Sequence, residues 1–187
     1  MEEQRLAARA ALGYTAASLD PSVSAEARLL AVVCTLRVRR SGVSSLPRGL
    51  VRALRLAAPW DAVQELLEVG WLRDVRVLGD SPAVFLPELV GRPWRLRAGH
   101  WALRTLGDRR VAALGVPLRL VALTVAAWRT GPEAAVVLDA ESAARGCGLS
   151  VAAFGEALDE VGGAGVLSRW LPAPAGLIVA HVPPGAG

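Results

Sequence analysis

Apolar residues recur at helical spacing in two stretches, each opening one half of the chain. EARLLAVVCTLRVRR predicts a helix over about 24–40, and PLRLVALTVAAWRTG predicts one over about 117–129. A second helix is expected after Leu46 in one half, with Pro47 in its first turn. Its counterpart follows Leu138, with Asp139 as N-cap. The turn GCGLS (146–150) then offers glycines for the reversal and Ser150 as a cap; the first half has LAAPW instead, with Pro59 starting a helix. Third helices carry the twin phrases ELLEVG (65–70) and ALDEVG (157–162). Leu66, Leu158, Val69 and Val161 are expected to face a core, and Gly70 and Gly162 to stop the helices. Beyond the glycines the period shortens to two. WLRDVRVL, a GDSP turn and AVFL predict one β-hairpin; VLSRWL, PAPAG and LIVAHV predict another.

The order of elements therefore repeats, and short identities follow it. Arg28-Leu29-Leu30 stands opposite Arg119-Leu120-Val121, Leu46 opposite Leu138, and Val69-Gly70 opposite Val161-Gly162. The second copy, LDAESAARGCGLSVAAFGEALDEVGGAGVLSRW, resembles the winged helix-turn-helix superfamily in its turn glycine, in Leu158 and Val161, and in the GVL that enters the hairpin. The first copy resembles it more loosely, lacking the turn glycine. This resemblance implies a mainly α fold with small β-hairpin wings (α+β): two winged-helix domains in tandem, at 24–90 and 116–187. An N-terminal helix or arm (1–23) precedes them and an Arg-rich helical connector (91–115) joins them.

Composition sharpens this picture. All 21 basic residues are arginine and 53% of the chain is apolar, a bias that fits a GC-rich bacterial genome and a sizeable core. Residues 1–110 hold 17 arginines against 11 acids, a net of +6, while residues 111–187 hold 4 against 6, a net of −2. That division suggests an anionic partner for the first half and dimerisation or protein contact for the second. The lone cysteines Cys34 and Cys147 make neither a disulfide framework nor a metal cluster, and point to a reduced, cytoplasmic setting, which a DNA partner would make nucleoid-associated. The opening MEEQRLAARAALG is amphipathic and begins with acids, so it is not expected to act as a signal peptide. The apolar run 111–128 contains Pro117 and Arg119 and is not expected to span a membrane.

Catalytic constellations are missing. His100 and His181 lack partners at ligand spacing, no nucleophile elbow, P-loop or dinucleotide fingerprint occurs, and Asp159-Glu160 are too close in sequence to work as a dyad. No enzyme activity, cofactor or metal is expected, and the six tryptophans read as core or seam aromatics. Binding remains. The third helices resist the usual major-groove role, because residues 60–70 and 150–162 each carry three acids and no arginine, leaving Gln64 as the base-reading candidate. Basic candidates are Arg37, Arg39 and Arg40 at the end of the first helix, and Arg48, Arg52 and Arg55 along one face of the second. Arg73 and Arg76 enter the wing, and Arg92, Arg95, Arg97 and Arg104 line the connector. The expected function is that of a DNA-binding, transcriptional regulator-like protein with DNA as partner. The alternative looks like the tandem winged-helix adaptor subunits that clamp kleisin-type proteins in chromosome-condensation complexes, where acidic third helices are no handicap.

Overall fold

Ten consecutive residues of one helix, Ala27 to Leu36, are buried. A helix apolar all round has to run through the middle of a protein, and α2 (Ala25–Arg37) does. Its counterpart α7 (Val116–Trp128) is buried from Arg119 to Val125 and packs against it. The computed structural model describes residues 2–39, 41–78, 81–86, 93–129 and 135–183. Among these it is a mixed α+β protein with nine α-helices and two three-stranded antiparallel sheets. No described helix is long and apolar enough to cross a membrane, since residues 111–128 divide between α6 (Arg109–Ala112) and α7.

The two copies share one order of elements. In the first, α2 is followed by β1 (Val43–Ser45), α3 (Arg48–Leu54), α4 (Pro59–Glu68), β2 (Asp74–Leu78) and β3 (Ser81–Phe85). In the second, α7 is followed by β4 (Val136–Asp139), α8 (Ala140–Cys147), α9 (Val151–Gly163), β5 (Arg169–Ala173) and β6 (Leu177–His181). The sheets match as well: the strand that opens the unit pairs with the last, giving β1-β3-β2 and β4-β6-β5. Both hairpins lie where the alternating pattern puts them. The opening strands leave no such signal, because three or four residues such as VSS are too few for a period of two to register.

Local chemistry explains the boundaries. Ser24, Asp139 and Ser150 cap α2, α8 and α9 by accepting from the N–H of Ala27, Ser142 and Ala153. Pro47 is the residue before α3 rather than part of its first turn. Gly70 adopts the left-handed φ of 71° and ends α4 as expected. Gly162 does not end α9: the helix runs on to Gly163, and Gly165 at φ 73° is the left-handed residue. Accordingly Val161 is still helical, one turn beyond Leu158, and fully buried. Val69 already sits at the cap, out of register, and is 48% exposed.

Segments expected to flank the copies are built into the same core. Helix α1 (Glu2–Ser18) packs against α2, α7, α8 and α5 (Pro93–Gly107), offering Ala7, Ala8 and Ala11 to its neighbours. Residues 91–115 include α5 and α6, and α5 buries Ala98, Trp101, Ala102 and Leu106. Gly99 lets α5 cross α2 closely, since a Cβ there would come within 3.0 Å of the Arg37 side chain. Core residues from both copies, α1 and α5 form one continuous cluster.

Candidate nucleic-acid interface

The arginines divide into those the fold consumes and those it leaves on the surface. Helix C-termini end in carbonyls without intrahelical donors, and arginines from elsewhere in the chain reach several of them. Arg5 donates to the Arg129 carbonyl (2.9 Å) and Arg9 to that of Ala127 (2.8 Å), together closing α7. Arg9 also lies 5.7 Å from the Trp128 ring centroid. Arg110 donates to Gly165 O at 2.9 Å.

The buried pair Arg28 and Arg119, each 1% exposed, makes a reciprocal exchange between the copies. Arg28, in the first copy, donates through Nε to Val23 O (3.0 Å), through Nη2 to Asp20 O, and through Nη1 to Arg145 O (3.2 Å) near the end of α8 in the second copy. Arg119, in the second copy, donates to Leu54 O (2.5 Å) and Ala53 O (3.5 Å) at the end of α3 in the first. Burial is the main cause that lowers both guanidinium pKa values; carbonyl acceptors take the place of water around Arg28 and at the terminal nitrogens of Arg119, whose Nε has no partner among the described residues. Two residues accommodate the exchange. Gly148 holds φ 69° beside Arg28, where a Cβ would lie 2.5 Å from Nε. Its counterpart Arg55 adopts the left-handed conformation itself, at φ 47°.

That last finding corrects the expected Arg48/Arg52/Arg55 face. Helix α3 ends at Leu54; Arg55 turns away as its cap and donates to Ala112 O at 2.9 Å. Arg48 and Arg52 remain, both exposed and one turn apart, on a helix without a carboxylate. Helix α8 differs: its exposed Arg145 is paired with Glu141 at 2.7 Å. Among the described residues, no hydrogen bond or ion pair engages Arg48 or Arg52.

The other predicted residues are scattered. Arg37 is half-buried and its pKa is lowered by burial, so it serves the α2–α5 crossing, while Arg39 is exposed in the following turn. Arg40 and Arg92 lie outside the described residues. Arg73 is exposed just before β2. Arg76 is occupied, 2.5 Å from Asp74 and 5.1 Å from the Phe85 ring centroid. The same partner holds the Asp74 carboxyl below its ordinary range. Arg95 is half-buried; Arg97 and Arg104 are exposed and border one shallow depression with His100. Gln64 is exposed, its amide donating to Glu68 at 3.1 Å.

The acids of the third helices are partly structural. Glu65 accepts from the Ser24 N–H (2.7 Å) and hydroxyl (2.5 Å), tying α4 to the start of α2. Asp159 accepts from the Trp170 indole N–H at 2.7 Å. Glu26, from α2, meets the N–H groups of Ala57 and Ala58 at the start of α4. Trp60 departs from the expected core role and is 50% exposed. Cys34 and Cys147 are buried thiols pushed up to about 12 by burial, and so are poor nucleophiles at neutral pH. No group of three or more His, Cys, Asp or Glu side chains suited to a metal occurs among the described residues.

One clue to the consumed arginines was present in the sequence. An arginine recurring at the same place in two otherwise apolar helices is poorly explained by solvation. Comparison with known proteins returned no matching family model, no matching curated protein and no matching solved structure.

Proposed function

We propose that the chain is a DNA-binding, regulator-like protein of tandem winged-helix build, holding the phosphate backbone through its first copy. The twice-repeated order helix–strand–helix–helix–strand–strand, with sheet order first-third-second, supports the build. The observation that carries the function is α3. Arg48 and Arg52 are exposed on a helix without carboxylates, in a protein that sends Arg5, Arg9, Arg28, Arg55, Arg110 and Arg119 to backbone carbonyls. Uncompensated guanidinium groups on a helix of this unit suit phosphate contact, which supplies affinity without reading sequence. Base reading by α4 is not part of this proposal, because Asp61 and Glu68 are exposed there and Gln64 is engaged by Glu68.

The test is an anisotropy titration of the whole chain against a labelled mixed-sequence duplex at low salt. Arg48→Ala/Arg52→Ala is expected to weaken binding by about tenfold or more, on the order of 1 kcal/mol for each charge-assisted hydrogen bond to phosphate that it removes. Wild-type protein that does not bind, or a double variant that binds equally well, would remove α3 as the phosphate face.

A second reading rests on the outer face of the second sheet. Val137 and Leu171 both stand opposite Val179, and they are 51% and 55% exposed. An apolar row on a sheet with open edges suits self-association with a second copy of the chain. Light scattering of wild type and Leu171→Asp tests it. A dimer that the substitution dissociates supports the contact, and a wild-type monomer at high protein concentration rejects it.

A further inference from the structure

We propose that the cleft between α5, α6 and α7 is a binding site for a small amphipathic carboxylate, its charge at an arginine rim and its short apolar body inside. The cleft holds about 240 Å³. Arg5, Arg104 and Arg110 line it with Thr105 and the buried Arg129. The carboxylate in its lining, Asp108, is already committed as the N-cap of α6, accepting the Arg110 N–H at 3.0 Å. Its floor is apolar, with Trp101, Val125 and Leu167 buried and Val182 half-buried against the core.

This combination selects the ligand class. A purely apolar guest would gain nothing from the positive rim, and a cation would be repelled by it. An inorganic anion would leave the apolar floor wet, whereas a short chain or ring with one carboxylate satisfies both parts. The exposed guanidinium groups of Arg104 and Arg110 supply the donors that such a carboxylate would meet. Arg5 adds positive charge to the lining, its Nη1 held by Arg129 O and its Nε buried without a hydrogen-bond partner among the described residues. Burial, followed by the positive charges of Arg129 and Arg9, lowers the Arg5 pKa. A carboxylate oxygen at the rim would offset that repulsion. Carbonyl contacts hold Arg5 and Arg110 in place beforehand, which limits the ordering cost of binding.

The site shares no residue with the proposed phosphate face on α3, so the two stand or fall separately. The experiment is calorimetric titration of the full chain, without DNA, with octanoate, 1-octanol and octylamine as probes. Octanoate is expected to bind saturably at one site, with 1-octanol at least about tenfold weaker and octylamine weaker still. Arg104→Gln changes an exposed residue of the rim and is expected to weaken octanoate several-fold. Ala126→Leu fills the cleft from α7 without touching its charges and is expected to abolish binding; if that variant does not fold, Arg104→Gln decides. No saturable octanoate binding into the millimolar range overturns the proposal. So does equal affinity for 1-octanol or octylamine, or wild-type affinity in Arg104→Gln and in a folded Ala126→Leu.

Discussion

Arg28 and Arg119 occupy equivalent places in the two central helices, and each closes the second helix of the opposite copy. A buried guanidinium is costly unless its donors are satisfied; backbone carbonyls at a helix end engage terminal nitrogens of both arginines and place the charge at the negative end of the helix dipole, while Arg119 Nε has no hydrogen-bond partner among the described residues. Arg119→Met keeps much of the volume but strips Leu54 O of its donor. The expected loss is about 2 kcal/mol, a fall in Tm of roughly 4–8 °C for a chain this long. Gly148→Ala is expected to cost at least as much, because it combines a left-handed φ with a Cβ on top of Arg28. Thermal unfolding followed by circular dichroism checks both. A change under about 1 °C in either would mean that the exchange contributes little to stability.

At the scale of elements, the acids of α4 divide into one that holds the fold and others that face water. Glu65 grips the N-cap residue of α2 by two hydrogen bonds, whereas Glu68 is exposed and meets Gln64 on its own helix. Glu65→Ala is expected to destabilise by about 1 kcal/mol and Glu68→Ala by a few tenths at most, read from urea midpoints. Equal effects would contradict this division. These acids illustrate what the sequence made legible. Helix starts at Ser150 and Asp139, the hairpins and the repeat could all be read from local patterns, because caps, turns and periodicity act over a few residues. Which glycine stops α9 could not, since GGAG offers three candidates and only the chain path selects Gly165. Nor could the role of Arg55, which looks helical by spacing until the turn forces it into the left-handed region. The split between consumed and free arginines depends on carbonyls 50 or more positions away in several cases, as with Arg55 and Ala112. No local pattern carries that information.

For the whole molecule, the two copies are joined through their first helices, cross-capped by Arg28 and Arg119, and bridged by α1 and α5 into one core. The charge asymmetry of the chain acquires a more limited meaning in this setting. Much of the arginine excess closes helices, and the exposed remainder includes Arg48 and Arg52 on α3, Arg97 and Arg104 on α5, and single positions such as Arg39 and Arg73. The central claim is therefore quantitative: phosphate binding by a few arginines, two of them on α3. The most direct measurement is the dependence of DNA affinity on salt, as the slope of log K against log salt concentration. The account predicts a steep negative slope for wild type that becomes shallower by about 2 in Arg48→Ala/Arg52→Ala, one unit for each phosphate-binding arginine replaced. A slope unchanged by the double substitution, or affinity insensitive to salt, would contradict it.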